Sequence, residues 1–366
     1  MWSGKIFSRI MKTFYCDACG GLVFFENVKC MACGHALGFS PDLFALSALE
    51  PAENNTWRGL AAANQGKDLF RLCGNSRSNE ICNWLVPVTD DHLFCIACRM
   101  NRTIPDLSVT GNLERWAKME RAKRRLVYSL LALKLPINGQ ADANRPALAF
   151  DFLADLPGGV KILTGHENGL ITLNVAEADD AERELRRVGL HEPYRTLLGH
   201  FRHEVGHYYW DQLIANTPRL NRFRELFGDE IRDYGSALQT YHAQGAPPDW
   251  QNRLISAYAS AHPWEDWAET WAHYLHMIDT IETAASFGMS LSPQHPSAET
   301  MKADPKQAVA PSAGFDRIVE NWLPLTYALN SLNRGMGLPD LYPFVLSTLV
   351  IEKLSFIHDT IKECSR

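Results

Sequence analysis

The sequence predicts an α+β protein, with small β lobes in the N-terminal third followed by a mainly α-helical domain that carries a small β-sheet. Three observations carry this expectation. Eight of the nine cysteines fall within the first 98 residues. Residues 161–175 read as a β-hairpin, and nearly every later segment repeats its apolar residues at helical spacing. A chain of 366 residues is also long enough for two or three domains.

Taken from the N-terminus, Cys16-Asp17-Ala18-Cys19-Gly20 and Cys30-Met31-Ala32-Cys33-Gly34 are two C-x-x-C-G units separated by ten residues. In each, a tight turn aims both thiolates at one point, and the glycine lets backbone approach sulfur closely. Leu22-Val23-Phe24-Phe25 between them reads as a strand. Four thiolates close a tetrahedral Zn²⁺ site with no position for substrate, which is the logic of a zinc ribbon. A lone redox pair would not come doubled.

A second set, Cys73, Cys82, Cys95 and Cys98, opens with a wider C-x8-C spacing and ends in a C-x-x-C pair. It predicts a second four-cysteine structural zinc, the alternative being that Cys73 and Cys82 are merely buried thiols. Metal supplies folding free energy that small lobes with few long helices lack. Cys364 has no partner in sequence and reads as an ordinary thiol. The zinc-ribbon region is expected to span residues 11–105.

Composition narrows the rest. The net charge of −6 argues against a general nucleic-acid binder, which needs a basic surface. The basic run at 118–125 reads as the solvated face of an amphipathic helix. No apolar run reaches the ~18–20 residues of a membrane span. The first residues lack a continuous apolar stretch with a cleavage site, so a cytoplasmic protein without a membrane partner is expected.

Residues 111–135 repeat apolar positions at helical spacing until Pro136 and Gly139, and a short polar connection, 140–146, follows. The hairpin is expected to pair 161–164 with 170–175 across a turn at 165–169. Residues 177–188 run from acidic to basic, as a helix dipole favours. From Pro193 onward the pattern is helical, interrupted at 245–248 and by a polar stretch, 290–312, expected to be a surface loop.

His203-Glu204-Val205-Gly206-His207 lies within one of these helices. Histidines at i and i+4 sit on one face one turn apart, so both imidazoles can reach a single metal. Glu204 can then contact a water at the open coordination position and act as general base. For a third ligand, the metzincin pattern would place Gly and His where Trp210 and Leu213 stand, so that three-histidine family is excluded. The better source is Glu265 and Glu269, at i and i+4 on another helix: one carboxylate ligates, and the other hydrogen-bonds a ligand histidine and fixes its tautomer. Asp229 or Asp233 is a further alternative.

His203-Glu204-Val205-Gly206-His207 together with the EDWAETWAHYLH helix resembles the gluzincins. With the cysteine-rich N-terminus, RLCGN, CNWLVP, CIACR and the late NSLNRGMGLPDLYPFVL, the chain more narrowly resembles the bacterial zinc-binding metallopeptidases that carry an N-terminal zinc-ribbon domain. The resemblance spans nearly the whole chain and implies a gluzincin-like metallopeptidase domain over residues 111–366. It implies that Glu265 is the third ligand and Glu269 its neighbour hydrogen-bonded to a ligand histidine. It also implies an oxyanion-stabilising Tyr or His near the third ligand, for which Tyr258 and His262 are the candidates. Tyr208, Tyr209, His273 and His276 read as interior residues, and Trp264, Trp267 and Trp271 as a core stripe.

The expected function is therefore a zinc-dependent metallopeptidase acting on a peptide or protein, with one catalytic and two structural Zn²⁺ ions. The alternative is a non-catalytic zinc scaffold that uses its ribbons to bind protein or nucleic acid. A third reading is a hydrolase of another amide.

Overall fold

The computed structural model describes residues 13–62, 68–137, 146–155, 162–189, 195–295, 299–310 and 313–365, with single positions 158 and 297. Gly139, the polar connection at 140–145, Lys161 and Pro193, all used above, lie outside them. The class is α+β as expected.

The first ribbon is smaller than its sequence suggests: β1 (Phe14–Tyr15) pairs antiparallel with β2 (Leu22–Val23). Phe24 and Phe25 lie beyond the strand. Between the two cysteine sets the chain builds a sheet that its alternation hardly announces. The strands are β3 (Ala36–Ser40), β4 (Ala45–Pro51), β5 (Trp57–Gly59), β6 (Leu69–Leu72) and β7 (Leu85–Pro87), an antiparallel meander in chain order. The Phe39 N–H donates to the Asn83 carbonyl at 2.8 Å, and Phe39 bridges Trp84 in parallel sense, so first and last strands meet and the sheet closes into a small barrel. Its inward positions include Gly38, Ser47 and Gly59, which erases the hydrophobic period of two that would have revealed the strands. A short helix, α1 (Gly74–Asn79), follows Cys73.

The lobes do not stand apart from the helical part. Phe25, Phe39 and Phe44 pack with ring centroids 5.1–5.5 Å from Tyr128, a fully buried residue of α2 (Asn112–Ala132). Such aromatic pairs add about 0.5–1.5 kcal/mol each to the burial itself.

A four-stranded sheet of order β10-β11-β9-β8 comprises β8 (Asn101–Thr103), β9 (Ala149–Leu153), β10 (Gly165–Glu167) and β11 (Leu170–Asn174). The hairpin exists, but its turn is the two-residue Asn168-Gly169 and its first strand is the segment read above as the turn. Asn168 and Gly169 have φ of 48° and 81°, the left-handed pair of a type I′ turn, and this local geometry overrides the apolar pattern at 162–164. The strand β10 is a sheet edge.

The remaining elements are α3 (Asp180–Gly189), α4 (Leu197–Leu213), α5 (Arg219–Phe227), α6 (Tyr234–Gln244), α7 (Pro263–Ser286), α8 (Pro305–Ala308), α9 (Phe315–Gly335) and α10 (Thr348–Cys364). Residues 290–312 are not simply a surface loop, since Leu291 bridges Ala303 and Pro305 and Ala308 are buried. No helix among the described residues is long and apolar enough to cross a membrane.

Helices α4 and α7 cross tightly at Gly206. A Cβ there would lie 3.0 Å from the Ala268 Cα and 3.2 Å from the Trp271 Cβ. Glycine inside a helix costs about 1 kcal/mol relative to alanine, and here it lets two backbones approach. Trp267 fixes the crossing by donating its indole N–H to the Gly206 carbonyl at 2.8 Å. A buried ion pair of Arg202 with Asp279, to which Ser129 also donates, ties α4 to α7 and α2. Lys353 of α10 pairs with Asp266 at 2.6 Å, both buried, and also donates to the Arg253 carbonyl.

Candidate metal centre

The close crossing brings two turns of α4 opposite the first two turns of α7. Thr196 caps α4, and His203, Glu204 and His207 follow in its middle. In α7 the cap is His262, whose Nδ1 accepts from the Trp264 N–H at 3.1 Å. Pro263 supplies the preset first position, and Glu265 sits in the first turn, where the helix dipole favours a carboxylate.

His203 Nε2 lies 3.0 Å from Glu265 Oε2, and His207 Nε2 lies 3.5 Å from Glu265 Oε1. One ligand atom from each of the three falls within 4.8 Å of the others. With metal–ligand bonds of 2.0–2.2 Å, the edge of a tetrahedron is about 3.3–3.6 Å, so the 3.5 Å contact fits and the 3.0 Å contact needs only a small opening around one small cation. The electrostatics agree. Burial disfavours charge on His203, yet Glu265 and Glu269 outweigh it and hold its pKa well above the usual imidazole range. Burial likewise opposes ionisation of Glu265, and His207 and His203 hold it well below the carboxylate range. The locus thus favours positive charge, and two imidazole nitrogens with a carboxylate are a zinc donor set.

The Nδ1 of His203 donates to Glu269 Oε1 at 2.6 Å, the arrangement that would leave Nε2 to serve as the ligand atom once a metal displaces its proton. Ser256 donates to the other oxygen of Glu269 at 2.6 Å. Glu269 therefore faces away from the convergence point, toward His203 Nδ1. Glu204 is buried on the same helix, and burial raises its pKa.

The edge strand β10 supplies one wall: His166 stacks 6.4 Å from the His207 ring. Burial first, then His207, lowers the pKa of His166 to about 4, so it is neutral near pH 7. Tyr258 places its ring 5.9 Å from His203. His262 is fully engaged, since its Nε2 donates to the Arg232 carbonyl at 3.1 Å while Nδ1 serves the helix cap. It has no free proton for an oxyanion. Asp233 caps α6 and Asp229 receives the Ile231 N–H; neither joins the cluster.

Three neighbours escape sequence reading. Tyr234 donates to Glu265 Oε1 at 2.6 Å, Ser256 holds Glu269, and Trp264 lies 4.1 Å from the His207 ring. Trp264 thus belongs to the site, whereas Trp267 and Trp271 are core. Tyr234 and Ser256 lie in stretches without any motif; proximity to Glu265 and Glu269 in sequence was the sole available signal for Ser256. Tyr208 and Tyr209 are buried, and His273 and His276 are interior, bonded to Tyr342 and Arg202.

Both cysteine sets also converge. Zn–S bonds of 2.3 Å imply an S···S edge of about 3.8 Å. Cys16–Cys33 is 3.6 Å and Cys19–Cys30 is 3.7 Å; Cys82–Cys95 is 3.8 Å and Cys82–Cys98 is 3.6 Å. These spacings fit four thiolates around zinc. Gly20 and Gly34, at φ of 73° and 81°, close the two knuckles of the first set. Its Cys19 and Cys33 are exposed, whereas all four cysteines of the second are buried.

The second set explains part of the basic run, whose Arg121 is exposed and whose Lys118 and Arg125 are half-exposed as a solvated face requires. Rather than forming a solvated face, Lys123 and Arg124 are buried with Glu120, and Cys98 Sγ is 3.7 Å from Glu120 Oε2. Four thiolates around a dication would carry −2, and Glu120 brings the buried negative charge to −3; Lys123, paired with Glu120 at 2.7 Å, and Arg124 offset two of these where water cannot.

The fold and these donor sets define a zinc-binding protein with a ribbon-type N-terminal region. The chain belongs to the family described as "Putative zinc-binding metallo-peptidase", whose family model matches residues 112–360. A zinc-ribbon domain model matches residues 13–109. The chain is 44% identical over 354 residues to uncharacterized proteins from Mycobacterium bovis and Mycobacterium tuberculosis, covering 96% of each chain. No solved structure matches it.

Proposed function

We propose that the protein is a zinc-dependent peptidase of gluzincin type whose catalytic metal is held by His203, His207 and Glu265. The observation that carries this reading is the convergence of those three donors beside Glu204, with Glu269 orienting His203. The eight paired cysteines would hold two structural zincs, and the substrate would be a peptide or protein.

Bound there, zinc supplies Lewis-acid activation of a carbonyl and of water. Glu204, adjacent to the first ligand, takes the proton of the attacking water and delivers it to the leaving amine. Its raised pKa, due to burial, suits both roles. The side chain of Tyr258 stands beside His203 as a donor to the developing oxyanion, and Tyr234 holds Glu265 in place. The edge of β10 gives an extended peptide backbone a strand to pair with, alongside His207.

Glu204→Gln is the test. The variant should retain three zinc ions per chain by elemental analysis and lose peptide-library turnover by at least about a hundredfold. Undiminished hydrolysis refutes the role of Glu204. Two ions per chain in the parent protein, with no hydrolysis, supports a non-catalytic scaffold instead.

A further inference from the structure

The N-terminal barrel has an open mouth at the end where β3 and β7 finish and β6 begins. A cavity of about 250 Å³ occupies it, lined in part by Ser40, Asp42, Leu43, Asp68, Phe70 and Val88.

Ser40 is its distinctive feature. A Cβ on Gly38 would strike the Leu85 side chain at 2.4 Å, so Gly38 faces the barrel interior, and Ser40, two residues on, faces the same way. The residue is 1% exposed, and its hydroxyl has no hydrogen-bond partner among the described residues. A buried hydroxyl without a hydrogen bond is costly, and an occupant of the cavity would recover that cost. Leu43, Phe70 and Val88 give the cavity apolar wall. Asp42 and Asp68 also line it, and Asp42 is exposed. No Lys, Arg or His among the described residues lines the cavity. Arg58 meets Asp68 at 3.3 Å from its own half-exposed position and neutralises one carboxylate in part.

We propose that this mouth binds an alkylammonium group, with the stem against Leu43 and Phe70, the ammonium toward the carboxylates, and one N–H donated to Ser40 Oγ. A lysine side chain of a protein and a free diamine share this chemistry. The barrel would then be a recognition module separate from the metal centre.

The test is backbone-amide NMR of the full zinc-loaded chain titrated with Nα-acetyl-lysine methylamide, its Nζ-acetylated form, the norleucine counterpart and 1,4-diaminobutane. The free ammonium compounds should shift the Ser40, Leu43 and Phe70 amides, and the acetylated and norleucine forms should not. Asp42→Asn should weaken binding about threefold and Ser40→Ala about fivefold, with unchanged zinc content and unchanged amides outside the barrel. Asp42 is exposed, so its substitution leaves the fold intact. Tighter binding of the lysine compound assigns the site to protein side chains, and tighter binding of the diamine assigns it to small amines; both support the proposal. Equal shifts from the norleucine compound, or no response to any amine, overturn it.

Discussion

Replacing Gly206 by alanine sets two known effects against each other. Helix propensity alone favours the change by about 1 kcal/mol, since glycine is the poorest helix former after proline. Packing opposes it. The new Cβ would sit 3.0 Å from the Ala268 Cα, 3.2 Å from the Trp271 Cβ and 3.3 Å from the Ala268 carbonyl oxygen. Two of these three atoms are backbone, so no rotamer change relieves the contact, and α4 and α7 must separate by several tenths of an ångström. Overpacking of this kind costs about 1–3 kcal/mol, so the net effect on stability is a loss of roughly 0–2 kcal/mol. The effect on the site is larger, because His203 and His207 move with α4 while Glu265 and Glu269 move with α7. Ligand constellations tolerate about 0.5 Å, and the expected outcome is a zinc affinity lowered about tenfold or more at this site only. Chelator competition followed by elemental analysis reads it directly: one zinc should leave early while two remain. A Gly206→Ala protein that is more stable than the parent and releases zinc at the same chelator concentration would refute the claim that this glycine sets the site geometry.

Further expectations follow from the same contacts. Glu269→Ala removes the acceptor of the His203 Nδ1 proton and should lower zinc affinity about 10–100-fold, measured by competition with a chromophoric chelator; an unaltered affinity dismisses the orienting role. Lys353→Met leaves buried Asp266 without its cation; burial already raises that carboxyl to about 6, so near neutral pH it takes up a proton. The loss in denaturant unfolding should be about 1–3 kcal/mol, part of which Asp266→Asn should recover. His358, buried away from the metal centre, is lowered from 6.5 to about 4 by burial, with Lys362 adding to it. The unfolded chain therefore takes up this proton first as pH falls. Stability is full above 6.5 and declines between 6.5 and 4, by about 2 kcal/mol at pH 5 from this group. His358→Gln should flatten the pH dependence of stability by that amount, and identical slopes would show that His358 is not held neutral.

Much of the site was legible because its parts are local. The turn of C-x-x-C-G and the one-turn spacing of His203 and His207 are geometric facts of a few residues, and so is the pairing of Glu265 with Glu269. The sheet edge at β10 was legible only as a hairpin, since its register depends on the left-handed conformations of Asn168 and Gly169 rather than on apolar alternation. The barrel was hidden for a related reason: its inward positions are small or polar, so no period of two survives. His262 shows the opposite failure, a residue of suitable type whose ring nitrogens are both taken by backbone partners.

By itself, then, the sequence determined the α+β class, the three donor groups and the chemistry those donors admit, because residue type and short spacing suffice for each. Only the tertiary structure decided which carboxylate turns toward both imidazoles and which toward His203 Nδ1. That distinction rests on how closely α4 and α7 approach at Gly206, a contact between residues far apart in the chain. The same holds for Lys123 and Arg124. Their charge suggested a solvated face, and burial beside the thiolates of Cys82, Cys95 and Cys98 made them counter-charges, since a net negative cluster out of water requires compensation.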